Sequence, residues 1–487
     1  MLALPNQDIM YQIKYVSFSK VVGFLFLFLI NVNLAQAKLR LATVFGDNMV
    51  LQREAEVPFY GLCNPGEKIF ITCSWNNLTD STTGDGDARW KLKIKTPGAG
   101  GPYSVTIKGQ NTIVLKNIMV GEVWLCSGQS NMAWSAYRNL PEVKRELPVG
   151  TVNNIRLFQV PRSTSPYPQE NAEGTWVVCN PKSLAGFSAI GYFFANELQK
   201  KLNVPIGIIN ASWGGTPAEI WTPGAVINGD EELSKAATAQ NQNRRWTVTP
   251  GFGYNSMIYP FTQLPIAGVL WYQGENNTVA PHSYGKLLTA MIKSWRQAWQ
   301  QDFPFYYVQI APYIYGNYNV GNLIREQQTK VLETPRTGMI VITDLVDNVK
   351  DVHPKNKLDV AKRLAAYALS DTYGQEVGAY KSPMFNRMDI KGNKANLYFD
   401  NAPNGFKLSV GKAATEFFVA GEDKNFVPAE VKIDKDKIVV YNKEVRNPVA
   451  VRFAFSNGAM SNIFSKEGLP VSPFRTDEWE VSTEKIQ

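Results

Sequence analysis

The segment Gly121-Glu-Val-Trp-Leu-Cys-Ser-Gly-Gln-Ser-Asn-Met132 is an apolar run that breaks at a glycine and continues into serine and asparagine. A serine just past a buried strand is carried to the carboxyl edge of an α/β sheet, where its hydroxyl is accessible for attack on an acyl carbon. Met132 stands where a G-x-S-x-G elbow would have its last glycine, so that motif is absent. Ser127 and Ser130 compete: Ser127 belongs to the strand end, Ser130 lies beyond Gly128, and an ordinary helix cap is the plain structural alternative. A serine nucleophile needs a base with a pKa near neutrality, and the chain has only two histidines. His353 sits in Val346-Asp-Asn-Val-Lys-Asp-Val-His-Pro354, with Asp351 and Asp347 near enough to hold an imidazole in one tautomer. His282 has no carboxylate within five residues and reads as a surface or capping residue. Trp271-Tyr-Gln-Gly-Glu-Asn-Asn277 supplies amides, Gln273, Asn276 and Asn277, any of which could face a developing oxyanion. Asn210-Ala-Ser-Trp-Gly-Gly-Thr-Pro217 supplies Gly214 and Gly215, which permit close backbone approach.

Each group follows a stretch that reads as a strand, or a strand and loop. From 117 to about 375 apolar strands alternate with helical periodicity: strands at 123–126, 206–210, 266–272, 305–310 and 338–342, helices at 190–202, 284–299, 323–332 and 357–369. Such alternation predicts a mainly parallel, three-layer α/β domain. Residues 223–253 are polar, rich in Asn and Gln, and read as a surface insertion near the site. Residues 38–116 alternate polar and apolar between Gly, Pro, Asn and Asp, which predicts an N-terminal β-sandwich domain. Strands return in 376–487, as a further β domain or as strands completing the first.

Residues 1–37 carry Lys14 and Lys20, an apolar core at 21–30 and the end Ala35-Gln-Ala37. This is the pattern of a cleaved export signal, and the core is short for a membrane span. A secreted or periplasmic protein is expected. The net charge of +8 is scattered over 487 residues without a basic, aromatic-interleaved run, so no nucleic-acid partner is expected. Cys63, Cys73, Cys126 and Cys179 admit disulfides after export; Cys63 and Cys73 could bridge locally, while Cys126 reads as a buried thiol. With two histidines and no metal-ligand spacing, no metal centre is predicted, and acyl transfer by a serine and a histidine requires no organic cofactor.

The four groups resemble the sialate O-acetylesterase branch of the SGNH hydrolase superfamily. Gly128-Gln-Ser-Asn-Met resembles the serine block, Trp213-Gly-Gly-Thr-Pro-Ala-Glu-Ile-Trp221 the glycine block, Trp271-Tyr-Gln-Gly-Glu-Asn-Asn277 the third block and Asp351-Val-His-Pro354 the last. The likeness extends to Val44-Phe-Gly-Asp-Asn-Met-Val-Leu-Gln52 and to Glu467-Gly-Leu-Pro-Val-Ser-Pro-Phe-Arg475. It implies a flavodoxin-like SGNH domain with accessory β-sandwich regions, acting on acetyl esters of sialic acid or polysaccharide. Ser130 would be the nucleophile and His353 the base. Asp351 would orient the base, with Asp347 second. The N–H of Ser130, the N–H of Gly215 or Gly214 and the Gln273 side chain, with Asn277 second, would form the oxyanion hole. Two departures stand out. Lys350 occupies the aspartate position of the usual D-x-x-H, and Gly274-Glu-Asn-Asn277 replaces G-x-N-D. A non-catalytic carbohydrate-binding protein and a secreted serine peptidase are the alternatives.

Overall fold

The computed structural model describes residues 38–484 other than 150, 151, 317, 410 and 412. The expected export signal at 1–37 lies outside the described residues.

Seven strands form the main path of an eleven-stranded sheet: β1 (Thr112–Gly128), β2 (Val152–Gln159), β3 (Trp176–Cys179), β4 (Ile206–Ser212), β5 (Gly268–Tyr272), β6 (Phe305–Val308) and β7 (Thr337–Ile340). Their spatial order is β3-β2-β4-β1-β5-β6-β7. All neighbours pair parallel except β3, which runs antiparallel on the β2 edge. Side chains alternate between faces, as a strand period of two requires. Val123, Leu125, Val269, Trp271, Phe305 and Tyr307 enter one apolar core. Trp124, Cys126, Leu270, Tyr272, Tyr306 and Val308 enter the other. Helix α3 (Tyr284–Trp299) covers the first face through Leu288, Met291, Ile292 and Trp295. Helices α2 (Ala189–Leu202) and α5 (Lys357–Tyr367) cover the second through Ile190, Phe194, Leu198, Val360 and Leu364. The three-layer α/β arrangement read from the alternation is therefore present.

β1 runs unbroken across position 116, where the sequence suggested a change of domain. Its first half pairs with Gly100–Lys108 of the N-terminal strands and its second half forms the middle of the parallel sheet. Strands β2 and β3, absent from the sequence reading, extend the sheet on one side. Residues 223–253 are partly helical, with Gly224–Asn228 and Glu231–Thr238, the second capped by the Asp230 side chain. Past α5, among the described residues, strands Met384–Lys391 through Phe474–Arg475 pair only among themselves and pack around their own apolar core. They do not complete the N-terminal sheets. Helix α4 (Gly321–Lys330) docks them: Arg325 donates to the carbonyls of Asn457 and Ser456, and Arg475 pairs with Glu326. All four cysteines are free and buried. The local Cys63–Cys73 bridge that the spacing allowed does not form.

Among the described residues no helix is long and apolar enough to cross a membrane.

Candidate active site

The order of the strands decides which loops meet. The chain leaves β1 for β2, returns through β4 on one side of β1, then crosses to β5 on the other. Ligands of open α/β sheets bind at such a reversal, outside the carboxyl ends. The register makes these ends level, since Gly128 pairs with both Ser212 and Tyr272. The loops after β1, β4 and β5 thus open side by side. Gly128 makes the turn possible: its φ is +129°, and a Cβ there would lie 2.2 Å from the Tyr272 carbonyl oxygen.

Beyond that turn, the short helix α1 (Ser130–Ala133) begins at Ser130. Ser130 lines an open cleft of about 900 Å³ together with Trp134, Gly214, Gly215, Asn276 and His353. Ser130 Oγ lies 2.9 Å from His353 Nε2. His353 Nδ1 lies 3.3 Å from Asp351 Oδ1, which also accepts the His353 backbone N–H at 3.0 Å. Trp134 stacks on the imidazole at 4.3 Å between ring centres and 16° between planes. The ring is therefore held by one face, one carboxylate and one hydroxyl. Burial, then the nearby Lys357 charge, pushes the His353 pKa below its ordinary value, so the neutral, proton-accepting form is favoured. Chemically this is a hydroxyl poised to lose its proton to an imidazole.

The structure distinguishes the competing residues. Ser127 is fully buried and its hydroxyl has no partner among the described residues. His282 is exposed in the turn before α3, and Asp347 makes no hydrogen bond to His353. The backbone N–H groups of Ser130, Gly214 and Gly215 have no acceptor among the described residues. Gly214 packs against Ser130, where a Cβ would come within 3.3 Å of the serine Cβ.

Gln273 and Asn277, expected in the oxyanion hole, do not line the cleft. Gln273 is fully buried; its amide donates to Asn277 Oδ1 (2.6 Å) and the Thr216 carbonyl (3.2 Å), and it accepts from Tyr284 Oη (2.9 Å). Asn277 donates to Glu219 Oε2 and accepts the Ala218 N–H. Both residues brace the loop from behind. Asn276, between them, is the amide of this loop that lines the cleft, and its side chain makes no protein hydrogen bond among the described residues. The position was readable: in Gly274-Glu-Asn-Asn277 it is the asparagine of G-x-N-D.

The sequence reading also missed two contributions. The 223–253 insertion brings Arg245 and Trp246 to the cleft, with Trp246 against Gly215. A buried cluster, Asn131, Glu275 and Lys357, adjoins the cleft, with Glu275 reaching its wall. A second cleft of about 580 Å³, between Arg40, Tyr60, Arg89 and Gln263, is lined by neither histidine nor Ser130.

Residues 120–370, just over half of the chain, match the family model described as carbohydrate esterase, sialic acid-specific acetylesterase. The sialate O-acetylesterase of Rattus norvegicus is 26% identical over 428 residues, covering 74% of this chain and 79% of the relative. That of Homo sapiens is 26% identical over 397 residues, covering 74% and 76%. The crystal structure of a carbohydrate acetylesterase from Xanthomonas citri superposes with a TM-score of 0.82 at 36% identity, over 90% of this chain and all of that one. The three-layer sheet, the extra β regions and these matches agree: the chain is a carboxylic ester hydrolase and belongs to the sialic acid-specific acetylesterase family of carbohydrate esterases.

Proposed function

We propose that the protein is an exported carbohydrate O-acetylesterase that works through an acetyl-enzyme on Ser130. The observation that carries this reading is the 2.9 Å contact between Ser130 Oγ and His353 Nε2 on the wall of the cleft. His353 takes the Ser130 proton as Oγ bonds to the acetyl carbon. The carbonyl electrons move onto oxygen, which the N–H groups of Ser130 and Gly214 or Gly215 and the Asn276 amide can receive. The tetrahedral adduct collapses, the sugar oxygen departs with the proton from His353, and the acetyl group stays on Ser130. Water then gives a proton to His353 as its oxygen bonds to the same carbon; this second adduct collapses, the bond between that carbon and Ser130 Oγ breaks, Oγ takes the proton back from His353, and acetate leaves. Asp351 holds the imidazole tautomer throughout. The charged start and apolar core of residues 1–37 support export.

Arg138, Arg162 and Arg245 line the cleft without a carboxylate partner among the described residues, beside the rings of Trp134, Trp213 and Trp246. This favours an acetylated sugar that carries its own carboxylate, with indoles against the sugar faces. Acetate release from an acetylated sialoside and from acetylated xylan, with Ser130→Ala beside the parent protein, tests the reading. Release that vanishes in Ser130→Ala and prefers the sialoside is expected. Undiminished release from Ser130→Ala removes the nucleophile assignment, and preference for xylan removes the acidic-sugar reading. Cleavage of peptide amides would favour a peptidase, and inertness to every acetyl ester a binding protein.

A further inference from the structure

Lys357 is the first residue of α5 and is 1% exposed. Burial and the positive end of a helix both oppose an ammonium there. A residue that breaks local rules in this way beside a reaction centre calls for a function. Its Nζ donates to Asn131 Oδ1 at 2.6 Å and lies 5.4 Å and 5.5 Å from the ring centres of Trp134 and Tyr272. The Asn131 amide donates in turn to Glu275 Oε1 (2.6 Å) and to the Val352 carbonyl (3.0 Å). All three partners are one residue from the reaction: Asn131 follows Ser130, Val352 precedes His353, and Glu275 precedes Asn276. A single buried amide thus ties the three loops together, and its orientation is dictated by a cation on its oxygen side and a carboxylate on its nitrogen side.

We propose that Lys357 is a positioning residue for ester hydrolysis: acting through Asn131, it holds the Ser130, Asn276 and His353 loops in register and supplies the positive charge against which His353 accepts its proton. The proposal rests on His353 being the general base. The ionisable groups around Lys357 are Glu275 on the β5 loop, Asp347, Asp351 and His353 on the loop before α5, and the buried phenol of Tyr272. Burial brings the Lys357 pKa down to about 7 and raises that of Glu275. Below about pH 7 Lys357 is mainly protonated, so its charge grows as the pH falls toward the range in which His353 gains its proton. That charge works with burial, and with the Arg138 guanidinium across the cleft, to keep the imidazole neutral against the pull of the Asp351 carboxylate.

The test is the pH profile of kcat/KM for acetyl ester hydrolysis by the full chain, from about pH 4.5 to 9. Removing the charge in Lys357→Met raises the His353 pKa, so the acid limb moves up by about half to one unit. kcat falls about tenfold or more while KM changes little, because the loops that meet the transition state lose register. Lys357→Gln keeps an N–H for Asn131 without the charge; it shows the same displacement with a smaller fall in kcat. Lys357→Arg leaves the limb in place. A limb that stays within about 0.2 units of the parent in both uncharged variants overturns the proposal, since a purely structural role lowers kcat without moving it. His353→Ala separates the two levels of the argument: if it retains activity, the general-base reading fails first, and the limb belongs to another group.

Discussion

Asn276→Ala and Gln273→Ala should fail in opposite ways, although both remove an amide from one loop. Asn276 is half-buried, faces the cleft and makes no side-chain hydrogen bond to the protein among the described residues. Truncating it should change folding stability by no more than about 0.5 kcal/mol. As an oxyanion donor, its loss should raise the barrier by about 3 kcal/mol, a roughly 100- to 1,000-fold fall in kcat. Gln273 makes three buried side-chain hydrogen bonds, to Thr216, Asn277 and Tyr284. At about 1 kcal/mol net for each, Gln273→Ala should cost roughly 3 kcal/mol of stability. Asn277 Oδ1 keeps the Ala218 N–H and Tyr284 Oη keeps the Gln273 carbonyl, while the buried Thr216 carbonyl loses the Gln273 amide. Urea denaturation read by tryptophan fluorescence gives the stability of each variant, and acetate release at saturating substrate gives kcat. A Gln273→Ala protein of parental stability but crippled kcat, beside an active Asn276→Ala, would refute the reasoning and return Gln273 to the oxyanion hole.

Burial and Lys357 depress the His353 pKa, so the acid limb of kcat/KM should fall below the ordinary imidazole value of 6.5. The same shift affects folding: between the folded and unfolded values the unfolded chain holds the extra proton, so stability rises with pH across that window and this contribution is level above it. Pairing the pH–rate profile with urea midpoints over the same range checks both. Gly215→Val puts a β-branched residue at φ +82°, with its Cβ 2.5 Å from the Trp246 ring. We expect a loss of about 1–3 kcal/mol and a raised KM as Trp246 is displaced, read by denaturation and steady-state kinetics. Arg325→Ala removes two charged hydrogen bonds to the Ser456 and Asn457 carbonyls. At about 1.5–3 kcal/mol each, at least roughly 3 kcal/mol of stability should go; limited proteolysis should then cut near the junction with the C-terminal strands.

Much of the architecture follows from local pattern. α3 spans the stretch marked out by its apolar spacing, because a helix that buries one face must repeat that face at 3.6 residues. The parallel strands were visible as short apolar runs for the same kind of reason. β1 shows the limit. Polar Lys116 and Asn117 look like a break, yet the strand continues because it finds partners from two different regions, Gly100–Lys108 and then β4 and β5. Hydrogen-bond partners distant in sequence leave no local trace. Strands β2 and β3 were missed for the same reason, and the helices in the 223–253 insertion because its polar composition masked short caps such as Asp230.

The proposed serine–histidine pair was legible for chemical reasons: with two histidines and a serine beyond a strand-end glycine, few combinations could support acyl transfer. Whether these groups meet was a matter of topology. His353 is brought to Ser130 only because the chain reverses beside β1 and carries the loop before α5 across the sheet edge. Which amide faces the cleft was decided on a still finer scale. After Gly274, at φ +150°, the backbone turns so that Asn276 faces the cleft while Gln273 and Asn277 face inward. Residue types thus determined by themselves what chemistry the chain could support. Backbone rotation at one glycine and pairing between distant strands decided which side chains meet at the cleft, because direction and proximity are properties of the folded chain alone.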